Sequence, residues 1–190
     1  MAAKQAGKPT RYAVLLRGVN VGGNKKIAMA DLRALLTGLG HDDVSTLLQS
    51  GNAVFTAPEA DAGRLAAQIE TTLAAELGLS SKVLLRTHSE LVSVIETNPF
   101  PTADDEPSRH LVQFLFEPLT PATRARIAEF DALAFAPEEF RVGDGVIYFR
   151  FPDGIGNSKL SVAFGKHVTA KFVMTGRNWN TVRKLRDLTG

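Results

Sequence analysis

The chain has 190 residues, of which 44% are hydrophobic and 22% are charged, and its formal net charge at pH 7 is only +2. This composition is typical of a globular protein with one ordinary domain or two small ones. The chain contains no cysteine, which excludes disulfides, thiolate nucleophiles and cysteine metal sites. It has no run of about 18 apolar residues, so we predict no membrane span and expect a cytoplasmic protein.

The charge is distributed unevenly along the chain. Residues 1–33 and residues 158–190 each carry a net charge of +6, and the segment between them carries −10. Because the termini of a domain often lie close together, the two basic segments can form one face that attracts phosphates or nucleic acid. The alternative is that these charges are scattered over solvated surfaces and only keep the protein in solution.

The first half of the chain indicates alternating strands and helices after a disordered tail at residues 1–10. The predicted elements are an apolar strand at 12–16, a helix with leucines at 32, 35, 36 and 39, strands at 44–49 and 53–55 around Ser50-Gly51-Asn52, a helix with apolar residues at 65, 69, 73 and 77, a strand at 83–85, and a helix that begins with the capping box of Thr87 and Glu90. Residues 99–109 are proline-rich, acidic and without periodicity, and we interpret them as a linker.

The same order restarts after the linker. The predicted elements are a strand at 111–116, a helix opened by Thr120-Pro121, strands at 139–142 and 146–151 around Gly143-Asp144-Gly145, a short helix at 158–165, and a C-terminal helix capped by Asn178 or Asn180. We therefore predict an α+β fold of two ferredoxin-like (split βαβ) units in tandem, each a small mixed or antiparallel sheet covered by helices, at residues 11–98 and 110–190. One larger mixed sheet is the alternative.

A basic, glycine-rich loop at residues 17–26 follows the first strand directly. Its glycines permit close backbone approach, and its arginine and lysines supply positive charge, so it can bind an anion. It does not match the P-loop, because Asn24 follows Gly23 where a lysine is needed, and Asn20 breaks the dinucleotide-binding pattern. The alternative is a flexible turn between a strand and a helix.

Two further polar segments are candidate sites. Residues 154–159 open a helix, where Ser158 either helps to bind an anion or caps the helix in the ordinary way. In residues 175–184, Arg177 can bind a carboxylate or phosphate and Trp179 can stack on a ring, although a half-buried structural tryptophan beside two helix-capping asparagines is the alternative. The predicted ligand-binding residues are Arg17, Gly18, Asn20, Gly22, Gly23, Ser50, Asn52, Ser158, Arg177, Asn178 and Asn180.

Metal, cofactor and catalytic sites have no support in the sequence. The four histidines occur singly and without metal-ligand spacing, and there is no nucleophile elbow. We therefore predict no metal and no cofactor, and we assign no catalytic residue.

Five segments resemble an uncharacterised bacterial family, domain-of-unknown-function family 1697. They are Leu15-Leu-Arg-Gly-Val-Asn-Val-Gly-Gly23, Met29-Ala-Asp-Leu32, Gln49-Ser-Gly-Asn-Ala-Val-Phe55, Asn98-Pro-Phe100 and residues 175–185. The resemblance covers the chain from about residue 11 to its end, and it implies a duplicated α+β fold of two βαββα-type units. It implies no reaction, cofactor or catalytic residue.

These observations leave three hypotheses for function. The first is a binding protein for an anionic ligand, either a nucleotide or a nucleic acid, through the basic loops. The second is an enzyme that acts on a phosphorylated or carboxylated small molecule by positioning and oxyanion-type stabilisation. The third is a structural or interaction protein whose polar loops only cap helices and close turns, and whose exposed sheet edges form a homodimer.

Overall fold

The computed structural model describes residues 8–21, 25–168 and 172–190. The chain forms two compact units: Met1–Val92 with Leu185–Gly190, and Ser93–Lys184. Helix α3 (His88–Glu96) and helix α6 (Trp179–Thr189) each contain one of the positions at which the chain passes from one unit to the other.

The first unit is an antiparallel four-stranded sheet with two helices. Its elements before α3 are β1 (Pro9–Leu16), α1 (Met29–Gly38), β2 (Asp42–Leu47), β3 (Asn52–Pro58), α2 (Ala62–Leu77) and β4 (Val83–Thr87). The strand order in the sheet is β2-β3-β1-β4. The first strand is therefore central, and its C-terminal end leads into the basic loop.

The second unit has the same topology. Its elements before α6 are β5 (His110–Leu115), α4 (Pro121–Ala128), β6 (Glu139–Val142), β7 (Val146–Arg150), α5 (Lys159–Val168) and β8 (Met174–Asn178), and the strand order is β6-β7-β5-β8. Both units thus have the split βαβ arrangement, in which β3 or β7 lies between the two parallel strands that the first helix connects. The prediction of two tandem α+β units is confirmed.

A core of aliphatic side chains fixes the two helices of the first unit on one face of its sheet. Val14 and Leu16 of β1 pack with Leu32 and Leu36 of α1 and with Ile69 of α2, and each of these side chains is at most 1% exposed. Burial of one such aliphatic side chain contributes about 1.5–3 kcal/mol, so this periodic apolar stripe decides where the helices lie.

The core of the second unit combines aliphatic and aromatic side chains. The ring of Phe164 on α5 lies 4.7 Å from that of Phe140, 5.2 Å from that of Phe149 and 5.5 Å from that of Phe130, measured between centroids. The contacts with Phe130 and Phe149 are edge-to-face, the geometry that aromatic pairs prefer. Phe164 therefore anchors α5 together with Leu160 and Val168, which lie in the same core.

The first and last described residues of the chain both belong to the first unit. Strand β1 begins at Pro9, which pairs with Pro58, so the predicted tail is wrong for residues 9 and 10, while residues 1–7 lie outside the described part. The guanidinium Nε of Arg11 donates to the carbonyl oxygen of Leu188 at 2.5 Å. The final turn of α6 is thus tied to the first strand.

The segment interpreted as a linker is ordered and packed within the second unit. Two 3-10 turns, Pro101–Ala103 and Pro107–Arg109, occupy it. The indole Nε1 of Trp179 donates to Asp104 Oδ1 at 2.9 Å, and Arg183 lies 3.3 Å from the same carboxylate. Composition alone indicated a linker, but these contacts join the segment to the start of α6.

Candidate functional site

The basic loop after β1 is held in shape by Asn20. Its backbone N–H donates to Lys25 O at 2.8 Å, its Oδ1 accepts from the N–H of Ile27 at 3.0 Å, and its Nδ2 donates to Ile27 O at 2.9 Å and to Gln49 O at 2.6 Å. Its φ of 55° is left-handed, which asparagine tolerates better than most residues. Asn20 therefore fixes the loop, and its contact with a ligand stays a prediction.

The β2–β3 hairpin packs tightly against the start of this loop. Gly51 has a φ of 72°, its carbonyl oxygen accepts from the N–H of Leu16 at 2.9 Å, and a Cβ at this position would lie 2.3 Å from Val19 Cγ2 and 2.9 Å from Leu16 Cβ. Only glycine fits here. The two segments that carry most of the family resemblance, around residues 17–20 and 49–52, are thus one structural unit.

The two polar side chains of the hairpin form a short network. Asn52 is fully buried, and its Nδ2 donates to Leu47 O at 3.1 Å and to Ser50 Oγ at 2.9 Å. Ser50 is half-buried. This network closes the turn, as asparagine side chains commonly do.

The cationic side chains of the loop point outward. Arg17, Lys25 and Lys26 are exposed, and the backbone of Arg17 is anchored because its N–H donates to Lys82 O at 2.9 Å and its carbonyl accepts from Ser81 Oγ at 3.0 Å. Gly18, with a φ of 65°, is also exposed, and Gly22 and Gly23 lie outside the described residues.

Four cations of the first unit outside the loop have carboxylate neighbours within 4 Å. The pairs are Arg11 with Asp43, Lys82 with Glu70, Arg86 with Glu90, and Arg186 with Asp187. Within the described ranges, no carboxylate lies within 4 Å of the ammonium groups of Lys25 and Lys26. The ammonium groups of Lys25 and Lys26 are therefore exposed without a compensating carboxylate among the described residues.

The N-terminus of α5, the second candidate site, is occupied by a carboxylate of the protein itself. Ser158 Oγ donates to Glu138 Oε2 at 2.7 Å, and the N–H of Leu160 donates to the same oxygen at 2.9 Å. Ser158 Oγ also accepts from the N–H of Ser161 at 2.9 Å, which is ordinary capping. An anion does bind at this helix terminus, but it is Glu138.

The third candidate segment contains a strand that its polar composition did not predict. Arg177 lies on β8 and not in a loop, only 6% of it is exposed, and burial lowers the pKa of its guanidinium to about 10. Its Nη1 donates to Thr175 Oγ1 at 2.9 Å and to Gly176 O at 2.7 Å. These bonds help to solvate a buried charge inside the protein.

The asparagines of the third segment have different surroundings. Asn178 caps α6, because its Oδ1 accepts from the N–H of Thr181 at 2.9 Å and from Thr181 Oγ1 at 2.8 Å, whereas Asn180 is exposed. Trp179 is 2% exposed, which is deeper than the half-buried position expected for it. The structural interpretation of this segment therefore accounts for Asn178 and Trp179.

The predicted site residues are divided between the units. Arg17, Gly18, Asn20, Ser50 and Asn52 come together at the C-terminal end of β1 in the first unit. In the second unit Ser158 lies at the start of α5, while Arg177, Asn178 and Asn180 lie on β8 and the start of α6. Among the described site residues, only those of the first unit lie together in one place, where the loop after β1 meets the β2–β3 hairpin.

Nothing in the sequence distinguishes the histidine at the start of β5 from the other three. His110 is 3% exposed, its Nε2 lies 3.2 Å from Thr102 Oγ1, and its Nδ1 is buried without a hydrogen-bond partner. Its register partner on β7 is Arg150, which in turn lies within 4 Å of Glu106 and Glu139. No sequence signal joins these residues, because they come from separate elements.

Metal clusters and membrane-spanning helices are both absent from the described part of the chain. Across residues 8–21, 25–168 and 172–190, no group of three or more histidine, aspartate or glutamate side chains is arranged to hold a metal ion. Over the same ranges, no helix is long and apolar enough to cross a bilayer.

Comparison with known proteins agrees with the fold and supplies no activity. A family model described as a protein of unknown function, DUF1697, matches residues 10–148. The chain is also similar to the solved structure of the conserved bacterial protein SP0830 from Streptococcus pneumoniae, with a TM-score of 0.74 and 27% sequence identity over 96% of this chain and 100% of that one. No curated protein matches the chain.

Proposed function

Because the chain belongs to the DUF1697 family of proteins of unknown function, we propose a function from its own residues: the first unit binds the phosphate backbone of a nucleic acid through the loop that follows β1. The observation that carries this proposal is the contrast within the loop. Its interior is held by Asn20, while Arg17, Lys25 and Lys26 are exposed on its outside.

The fixed frame favours binding because it lowers the entropic cost of ordering the loop. Asn20 joins both ends of the loop to each other and to the hairpin, and Gly51 packs under it with no spare space. The parts of the loop that this frame holds, residues 17–21 and 25–26, lose less conformational freedom when a ligand binds.

We favour a nucleic acid over a small anion because of the groups of the loop and hairpin that can still contact a ligand. The amides of Asn20 and Asn52 already donate to groups of the protein, so they are poor candidates for reading base edges. Exposed cations without such amides suit sequence-independent contact with several phosphates along a strand. We therefore expect weak, salt-dependent and sequence-independent binding.

A charge-neutralised variant tests this proposal. In Arg17→Gln/Lys25→Gln/Lys26→Gln, fluorescence anisotropy with labelled duplex DNA and RNA should show weaker binding, and the slope of log K against log salt should fall by about one for each cation removed. The control variant, Arg64→Gln/Arg124→Gln/Lys184→Gln, removes the same charge from exposed positions elsewhere. Equal losses in the two variants would show that only net charge matters and would contradict the proposal.

A second candidate function, a protein-interaction module, is favoured by the apolar side chains beside the same loop. Val21 is 65% exposed and Leu48 is 52% exposed, and Leu48 adopts a left-handed φ of 59° that is unusual for leucine. Light scattering over a range of concentrations tests self-association. A dimer that Val21→Ser/Leu48→Ser abolishes, together with no nucleic acid binding, would support this function instead.

A further inference from the structure

A surface cleft of about 360 Å³ lies in the second unit beside the end of β5. Its walls include residues from the segment 117–120 after β5, the first two turns of α4, Val168 at the end of α5, and Phe172 and Val173 before β8. Its volume is within the range of small-ligand sites. None of the predicted ligand-binding residues lines it, and it shares no residue with the basic loop.

In the topology of the second unit, the cleft occupies the position that the basic loop occupies in the first unit. In the first unit, the N–H of Leu16 donates to Gly51 O and the N–H of Arg17 to Lys82 O; in the second, the N–H of Leu115 donates to Gly145 O and the N–H of Phe116 to Val173 O. The connection to the next helix comprises residues 17–28 in the first unit but only 116–120 in the second. The shorter connection leaves the strand end open.

Two opposite charges line this cleft without pairing with each other. Glu117 and Arg126 both contribute to its walls, and they form no ion pair within 4 Å. The Nε of Arg126 donates to His167 O at 3.0 Å, and Nε2–H of His167 donates to Arg126 O at 2.7 Å. These two hydrogen bonds between Arg126 and His167 fix the orientation of the guanidinium through its Nε. The two Nη groups of Arg126 make no hydrogen bond to the described residues.

The remaining walls are largely apolar. Val168 is buried, Phe172 is half-buried, and Ala122 of α4 also lines the cleft. An arginine fork is suited to a carboxylate, and an exposed glutamate to an ammonium group. From this arrangement we propose that the cleft binds a small zwitterion of the amino-acid class, with its carboxylate on Arg126, its ammonium group on Glu117 and its apolar side chain against Val168 and Phe172.

Three probes of the same shape test the charge pattern. Leucine carries both charges, 4-methylpentanoate carries only the carboxylate, and 3-methylbutylamine carries only the ammonium group. Titration of the isotope-labelled full-length protein, followed by amide chemical shifts, should show leucine shifting residues of the cleft at lower concentration than either analogue, by about tenfold, because each analogue loses one charged hydrogen bond. Equal shifts with leucine and an analogue, or no shift with leucine, would overturn the proposal.

Variants at the two charges give a second test. Arg126→Gln and Glu117→Gln should each weaken leucine binding about tenfold, and Arg126→Gln should remove the preference for leucine over 3-methylbutylamine. Arg124→Gln and Glu129→Gln are the matched controls, because both residues are exposed and neither lines the cleft. The same spectra show whether each variant is folded. Unchanged leucine binding in both folded test variants would also overturn the proposal.

Discussion

Ser158 donates a hydrogen bond of 2.7 Å to Glu138 at the N-terminus of α5. The anion at the start of this helix, which follows a glycine-rich segment, is therefore a carboxylate of the chain itself. The same carboxylate oxygen accepts from the N–H of Leu160. A negative charge at this position is favourable because unpaired N–H groups and the positive end of the helix dipole meet there. This segment consequently needs no external ligand.

Removing that carboxylate should destabilise the protein. Glu138→Ala leaves the Leu160 N–H without its partner, and we expect the free energy of unfolding to fall by about 1–3 kcal/mol. Urea denaturation followed by circular dichroism measures this change. Glu129→Ala, at an exposed position after α4, should change stability by no more than about 0.5 kcal/mol. Similar effects of the two substitutions would contradict the assigned role.

Gly51 should tolerate a methyl group much less well than its counterpart in the second unit. Gly51 and Gly145 both have positive φ, of 72° and 64°, but a Cβ on Gly51 would meet Val19 and Leu16, whereas nothing lies within 4 Å of a Cβ on Gly145. Gly145→Ala should cost about 1–2 kcal/mol from backbone strain alone. Gly51→Ala should lower the free energy of unfolding by about 1–3 kcal/mol more than Gly145→Ala does, because the added Cβ overlaps neighbouring atoms. Thermal denaturation of the two variants makes the comparison, and equal losses would argue against close packing at Gly51.

Asn20 should stabilise the folded protein through its side-chain hydrogen bonds more than through its backbone conformation. Asn20→Gly keeps the left-handed φ accessible but removes the bonds to Ile27 and Gln49, so we expect a loss of about 1–3 kcal/mol. Asn20→Ala adds the backbone penalty and should be less stable still. Hydrogen exchange should show faster exchange at the amide of Ile27 in both variants, and unchanged exchange there would refute the proposed frame.

Two buried histidines should make the protein less stable in mild acid. Burial lowers the pKa of His41 below its usual 6.5, against the opposing effect of Asp42; burial and Arg150 lower the pKa of His110, against Glu106 and Glu139. His41 also stacks on Phe55 with a centroid distance of 4.0 Å.

The sign of this effect follows from the proton balance. The unfolded chain binds these protons more tightly than the folded protein, so the stability contributed by the neutral rings is complete above pH 6.5 and is lost as the pH falls from there toward the lower pKa of the folded state. Urea denaturation between about pH 5 and pH 8 should therefore show falling stability on acidification. His41→Gln should reduce this slope, whatever its effect on absolute stability, and an unchanged slope would contradict the prediction.

The bond between Trp179 and Asp104 should hold the segment at residues 101–109 in place. Asp104→Ala removes the acceptor of the indole N–H and the neighbour of Arg183, and we expect faster hydrogen exchange in this segment with a stability loss of about 1–2 kcal/mol. Asp105→Ala, at the exposed adjacent position, is the control. Exchange rates that remain unchanged in Asp104→Ala would restore the interpretation of this segment as a linker.

The elements that sequence reasoning recovered are those with a local signal. The leucine spacing of α1 and α2 is periodic over several turns, and the Thr87–Glu90 capping box has the expected bond of 2.7 Å from the Thr87 N–H to Glu90 Oε2. Strand β8 was missed because Met174-Thr-Gly-Arg-Asn178 has no apolar alternation. It forms a strand because it pairs along its length with β5, antiparallel, from Leu111 opposite Asn178 to Leu115 opposite Met174.

The sequence by itself determined the repeated order of strand, helix, hairpin and helix, the helix cap at Thr120, and the absence of cysteine chemistry, since each depends on residues within a few positions of one another or on composition. Only the tertiary structure decided which polar side chains already have partners. Glu138 reaches Ser158 across 20 positions and Asn20 reaches Gln49 across 29, and such bonds exist only after the chain has folded. The physical reason is that periodicity and capping act over one or two helical turns, whereas a hydrogen-bond partner brought from a distant element leaves no pattern in the sequence.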